Sequence, residues 1–170
     1  MDLKNLLRLK GRWEVVHRDR NGRVIDRQKI DNLVTNEGWD YLLNAALHGG
    51  SQISDWYIAP WKTNTAPAEG NTYANPGNTE ATSEISESAR QAWAEGASSG
   101  QSVTNATAAT ITAAGAVTIY GFGIVGGGSA AATKGDTSGG GTLFSSGMLS
   151  TAKTLATGET LDLTYTVGKA

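Results

Sequence analysis

The 170-residue chain contains no cysteine, which excludes a disulfide framework, a thiolate metal site and a cysteine nucleophile. Histidine is nearly absent, and the two that occur, His17 and His48, are not spaced as metal ligands. Charged residues make up only 18% of the chain, and the formal net charge is −2, which argues against nucleic-acid binding through bulk positive charge. We therefore expect no cofactor, no bound metal and no nucleic-acid partner.

Long apolar runs are also missing. No stretch approaches the ~20 apolar residues that a membrane-spanning helix needs. Residues 1–10 contain scattered leucines and an early acid, Asp2, but no small-residue cleavage site of a secretory signal. These features predict a chain made in a cytoplasm, without a membrane partner.

Small residues dominate what is present. Gly, Ala, Thr and Ser together account for 78 of the 170 residues, whereas there are only two Phe and two Met. Such a composition favours thin layers and many turns over a thick helical core. Five Trp and five Tyr supply most of the aromatic surface, and each carries a polar group.

Two local signals are strong. Asn21-Gly22 separates two β-rich runs, 12–17 and 23–30, and predicts a hairpin because both residues tolerate positive φ. A helix is predicted from 36 to about 48, with Thr35 or Asn36 as its cap and glycines at its end. Its predicted core face consists of five apolar residues with helical spacing: Trp39, Leu42, Leu43, Ala46 and Leu47.

The rest of the chain is predicted to be mainly β. Residues 63–79 are predicted to form a long surface loop, and residues 80–95 fit either a helix or an edge strand. About eight strands with one early helix predict a two-sheet antiparallel sandwich, with a jelly roll as a variant. We expect an N-terminal arm, 1–11, followed by a single β-sandwich domain, 12–170.

Charge is concentrated at the front of the chain. Residues 1–30 carry a net charge of +5, and the remainder carries −7. This asymmetry predicts an arm that docks on an acidic partner, although a solvated hairpin would look the same. The candidate partner-binding residues of this segment are Leu3, Lys4, Leu6, Leu7, Arg8, Lys10 and Arg12.

Two tryptophans are further candidates for partner binding. Trp56 and Trp61 have opposite parity on one predicted strand, so one would face outward. Trp61 and Trp93 could each anchor an interface or belong to the core.

No enzymatic motif stands out. Residues 121–126 match a dinucleotide-binding glycine pattern, but a loop follows where that motif needs a helix. We expect these glycines to allow a backbone or a bulky ring to approach a strand. Glu80, Glu84, Glu87 and Glu95 could supply a carboxylate pair, but a solvated acidic face is the favoured interpretation. We therefore expect a protein without catalytic residues.

The order of short motifs along the chain resembles a family of small virion structural proteins of tailed bacteriophages. The resemblance covers nearly the whole chain from about Arg12, and its main segments are 21–22, 32–38, 47–50, 56–58, 88–93, 100–105, 118–121 and 158–166. It implies a non-enzymatic β-sandwich that oligomerises on the virion and is made in a bacterial host. The loop at 126–141 is longer and richer in glycine than the family pattern.

Within that resemblance, a capsid decoration or cement protein is the favoured interpretation. The chain has no heptads or collagen-like triplets, which a fibre stalk would need. The expected partners are the major capsid protein and copies of the chain itself, on the outer capsid surface. A tail or fibre-attachment component is the alternative. A carbohydrate-binding module that uses Trp61 and the acids of 80–95 is a more distant one.

Overall fold

The computed structural model describes residues 9–169, and within that range the chain forms nine strands and one helix. Five of the predicted arm residues (Leu3, Lys4, Leu6, Leu7 and Arg8) lie outside the described residues. The elements in chain order are β1 (Leu9–Arg18), β2 (Val24–Val34), α1 (Asn36–Leu47), β3 (Trp56–Trp61), β4 (Gln91–Ala92), β5 (Ser102–Thr104), β6 (Ala109–Thr112), β7 (Val117–Gly126), β8 (Thr142–Leu155) and β9 (Thr160–Lys169). The protein is mainly antiparallel β, as predicted.

The predicted hairpin at Asn21-Gly22 is confirmed. Gly22 has φ of +81°, and the Asp19 carboxylate accepts hydrogen bonds from the backbone N–H groups of Asn21 and Arg23, each at 2.9 Å. β1 starts at Leu9, so the arm predicted over 1–11 shares residues 9–11 with a strand that pairs with β9.

One sheet contains all the strands, in the order β4-β3-β7-β8-β2-β1-β9-β5, and β6 also pairs with β9. β2 meets β8 through only two residue pairs, Leu33 with Ser146 and Val34 with Ser145. The sheet curls into a half-barrel. Its two halves meet across the main core, where the Trp13 ring of β1 lies 5.2 Å from the Phe122 ring of β7.

The helix forms over the predicted residues, and Trp39 and Leu42 of its predicted core face pack against the main core, but Leu43, Ala46 and Leu47 do not. The Thr35 hydroxyl caps the helix by accepting from the Gly38 N–H at 3.0 Å. Leu43 and Leu47 are 51% and 81% exposed, whereas Gly38 is buried. A Cβ on Gly38 would collide with the Phe144 carbonyl of β8. The helix therefore approaches the sheet through its glycine, which turns both leucines outward.

Trp61 and Trp93 are buried, which overturns their interpretation as interface anchors. Trp61 is 1% exposed and Trp93 is 5% exposed. Trp93 belongs to the main core and donates its indole N–H to the Tyr165 carbonyl at 3.0 Å. Trp61 faces the other side of β3, as its parity predicts, but a second core of Ala59, Trp61, Tyr73, Val125 and Leu143 encloses it. Tyr73, from the predicted surface loop, contributes to that enclosure.

The segment 80–95 contains no helix. Its residues Gln91–Ala92 form β4, which is the edge strand beside β3, so the edge-strand alternative is confirmed.

The glycines of β7 have the structural role that the sequence predicted. A Cβ on Gly123 would collide with the Trp61 ring, and one on Gly126 would lie 2.5 Å from Cε3 of Trp56. The motif lies within a strand and leads into a turn at Gly127 and Gly128, which have φ of +69° and +64°. This segment thus lacks the helix start that a dinucleotide site requires.

Candidate interaction surface

The solvent-facing side of β1, β2 and β9 carries a charged groove, which we call the basic groove. Along β1, Trp13 and Val15 face the core, so Lys10, Arg12 and Glu14 point to the opposite side. The groove has a volume of about 520 Å³, and its charged lining residues are Lys10, Arg12, Glu14, Lys29, Asp31 and Lys169. It is the surface on which the structure places the two described residues of the predicted basic patch.

Strand register brings these charges together. Arg12 is opposite Asp31, and Glu14 is opposite Lys29, in the β1–β2 pair. On the other side of β1, Lys10 pairs with Gly168 of β9, and the next residue, Lys169, lies at the end of the groove. Cross-strand pairs of opposite charge favour this register by a few tenths of a kcal/mol to about 1 kcal/mol each.

The groove has an excess of positive charge. Three cationic side chains of β1 and β2 share it with two carboxylates, so one positive charge is left over, and Lys169 of β9 lies at its end. Arg12 Nε lies 3.2 Å from Asp31, Lys29 Nζ lies 3.2 Å from Glu14, and Lys10 Nζ is 3.9 Å from Asp31. The cationic side chains of these pairs are 54–65% exposed. Exposed pairs of this kind contribute little, about 0–1 kcal/mol, so a more acidic partner can replace them.

A second cluster of charges is buried and was missed in the sequence. Arg90 Nη2 lies 2.7 Å from Glu80 Oε2, and both side chains are less than 5% exposed. Arg90 also donates to the carbonyls of Ala131 at 2.8 Å and Asp136 at 2.9 Å. Tyr73 completes the cluster by donating its hydroxyl hydrogen to Asp136 at 2.8 Å. The sequence contains one signal for this cluster, because Arg90 stands alone as the only arginine after Arg27.

This cluster fastens two loops onto the outer side of β3 and β7. Glu80 also accepts from the Gly135 N–H at 2.8 Å, so the carboxylate joins the segment after β3 to the loop between β7 and β8. The loops cover Trp61, and they leave a cavity of about 310 Å³ lined in part by Lys62, Glu80 and Asp136. The cluster explains why a tryptophan that faces away from the main core is nevertheless buried.

Two acids beside this cavity, Glu84 and Asp136, have lowered pKa values that favour their charged form. The hydrogen bond from Lys62 at 2.7 Å lowers the pKa of Glu84 to about 2. The hydrogen bond from Tyr73 lowers the pKa of Asp136, and burial raises the pKa of Tyr73. A carboxyl group with a lowered pKa is a poor proton donor at neutral pH. These carboxylates are therefore better suited to holding the loops in place than to acid–base chemistry.

Metal-ligand clusters and membrane-spanning helices can be assessed for residues 9–169. This part of the chain holds no group of three or more His, Asp or Glu side chains arranged to bind a metal ion. None of its helices is both long and apolar enough to cross a membrane.

The predicted partner-binding residues thus separate into three groups. Lys10 and Arg12 lie together in the basic groove. Trp61 and Trp93 lie in two different cores and do not contribute to that surface. The remaining five precede Leu9, outside the described residues.

Comparison with protein-family models gives no match to this chain. Comparison with curated proteins gives no match either.

Proposed function

We propose that this chain is a non-enzymatic structural protein of a tailed-bacteriophage virion that binds the outer surface of the capsid. Its partners in this proposal are the major capsid protein and further copies of the chain, and its role is to stabilise the head. The resemblance of the ordered motifs supports the phage assignment. The basic groove is the observation that carries the binding mode, because it offers exposed positive charge on a rigid sheet.

The groove suits an acidic protein surface. Lys10 and Arg12 begin the strand that follows residues 1–8, where Lys4 and Arg8 add positive charge. A partner with acidic side chains could therefore contact both the sheet and the preceding segment. Charge complementarity of this kind speeds association and fixes orientation more than it adds affinity.

We also propose that the curled sheet is a variant of the two-sheet sandwich or jelly roll predicted from the sequence. Two features support this classification. Only two residue pairs connect β2 to β8, and aromatic rings from the two halves meet in one core. The halves would then correspond to the two sheets.

The other proposals from the sequence have less support. A tail or fibre-attachment role would use the same groove, and it remains the alternative. A carbohydrate-binding role needs exposed aromatic rings, and the burial of Trp61 removes the ring on which that interpretation rested.

A binding assay with empty shells tests the capsid proposal. Shells of the major capsid protein encoded with this chain would be sedimented with the wild type and with a Lys10→Glu/Arg12→Glu variant. The matched control is Arg20→Glu/Arg23→Glu, which makes the same change in charge at the exposed hairpin turn. We expect the groove variant to lose most binding at ~0.1 M salt, where the Debye length is ~10 Å.

The control should bind shells as the wild type does. Equal loss in both variants would show that overall charge, and not the groove, determines binding. Absence of wild-type binding to shells, with binding to tail proteins, would favour the alternative.

A further inference from the structure

Side chains connect β2 to β8 along most of the boundary between these two strands. Both strands are described in full, and they share only two backbone pairs, at the end of β2 that precedes the helix. Further along, the side-chain amide of Gln28 donates to the Thr151 carbonyl at 2.7 Å. Beyond Gln28, Lys153 of β8 contacts Asp26 of β2. These contacts hold the strands together where the backbone ladder is missing.

Lys153 differs in its burial from the other lysines that form ion pairs in the described part of the chain. Its side chain is 7% exposed, whereas the other three are 31–65% exposed: Lys10, Lys29 and Lys62. A buried ammonium group is poorly solvated, and an ion pair compensates for that loss only partly. The terminal nitrogen of Lys153 is in direct contact with the Asp26 carboxylate. An amide between the two side chains would remove both charges from this site.

Strand register adds a base to the same place. Asp26 pairs directly with His17 of β1, so the two side chains lie on one face of the sheet, with Cβ atoms ~4.5–5.5 Å apart. His17 is buried, and its Nε2 lies 3.0 Å from Oε2 of Glu159. Because a carboxylate only accepts hydrogen bonds, Nε2 donates, and Nδ1 is unprotonated in the neutral ring. His17 is therefore placed to relay a proton beside Asp26.

We propose that Lys153 and Asp26 condense into an amide that covalently joins β2 to β8. Nζ of Lys153, as the free amine, attacks Cγ of Asp26 and forms the new C–N bond. One C–O bond of the carboxyl group breaks, and its oxygen leaves as water. Counted from the ammonium and the carboxylate, two of the three Nζ hydrogens leave with this oxygen. The step is therefore balanced without an oxidant or another co-reactant.

Proximity makes this condensation feasible in water. Groups that a fold holds in a reactive arrangement behave as if present at ~10⁵–10⁸ M, far above the concentration of the water that drives hydrolysis. The bond forms once in each chain, so it is a modification and not a catalytic turnover. It concerns the isolated chain and does not depend on capsid binding.

The intact mass of the purified full chain tests the bond. The wild type should be lighter than its sequence mass by one water molecule. Lys153→Arg keeps the positive charge but lacks the amine, so this variant should have its full sequence mass. Lys62→Arg is the matched control, because Lys62 also contacts a carboxylate, at 2.7 Å from Glu84, but in a more exposed pair. This control should lose one water as the wild type does.

Peptide mapping locates the bond. Trypsin should release residues 24–27 and 135–169 as one branched peptide, which stays uncut after Lys153 because trypsin does not cleave after an acylated lysine. A wild type at its full sequence mass would overturn the proposal and show that the contact is only an ion pair. A water loss that persists in Lys153→Arg, or that maps to other residues, would also overturn it.

Electrophoresis in denaturing detergent gives a second readout. An amide between residues 26 and 153 closes most of the chain into a loop, which keeps the denatured protein more compact. The wild type should therefore migrate faster than Lys153→Arg and level with Lys62→Arg. Equal migration of the wild type and Lys153→Arg would contradict the bond.

Discussion

Substitution of Gly123 by alanine is the sharpest test of the packing in the second core. The added Cβ would overlap the Trp61 ring and lie 3.3 Å from Cδ1 of Leu143. Neither neighbour can withdraw freely, because both are fully buried and β7 is paired on both sides. Overpacking of this kind lowers the free energy of unfolding by about 1–3 kcal/mol.

Gly115→Ala is the matched control. A Cβ at Gly115 meets nothing within 4 Å, and the residue does not have the positive φ that would strain an alanine. Its unfolding free energy should stay within about 0.5 kcal/mol of the wild type, or rise slightly because alanine restricts the unfolded chain.

Equilibrium unfolding in urea measures both variants on the same scale. A double-mutant cycle with Trp61→Phe adds specificity, since phenylalanine lacks the indole atoms that Gly123 accommodates. Trp61→Phe alone loses the hydrogen bond from the indole N–H to Ser146 at 3.0 Å, together with packing volume. The double variant should lose less free energy of unfolding than the sum of the losses in the two single variants. A Gly123→Ala variant as stable as Gly115→Ala would refute the argument.

Two further predictions concern buried and partly buried charge. Arg90→Ala leaves Glu80 buried without its partner, so it should lower the free energy of unfolding in urea by about 3–5 kcal/mol. A loss under about 1 kcal/mol would contradict the role of the cluster in holding the loops. The pKa of Glu84 is lowered from 4.5 to about 2, so its ion pair with Lys62 stabilises the protein fully above pH 4.5, and that stabilisation is lost as the pH falls towards 2. With 28% of Glu84 exposed, screening reduces the contribution to about 1–3 kcal/mol. Glu84→Gln should therefore flatten the pH dependence of unfolding over that range, and an unchanged slope would refute the assignment.

Local signals in the sequence were sufficient for much of the fold. The Asn21-Gly22 hairpin and the limits of α1 match the structure. Each depends on a turn residue or a cap that a short window contains. The close approach allowed by the β7 glycines was also predictable, because glycine inside a strand has few other causes.

The errors have a common physical origin in contacts between distant segments. The orientation of α1 depends on Gly38 against the Phe144 carbonyl, and a pattern that counts large side chains misses a contact made by a glycine. The burial of Trp61 depends on loops fastened by Arg90 and Glu80. Only part of the basic groove could be predicted. Lys10 and Arg12 stand out in the sequence, whereas Lys29 joins them only through the register of β1 and β2.

Electron microscopy of gold-labelled virions tests the central proposal most directly. An antibody raised against the purified chain would be applied to intact particles of the phage that encodes it. The proposal predicts label distributed over the head surface, and none on particles made without the gene. Label confined to the tail, or no label on intact virions, would contradict a capsid decoration role.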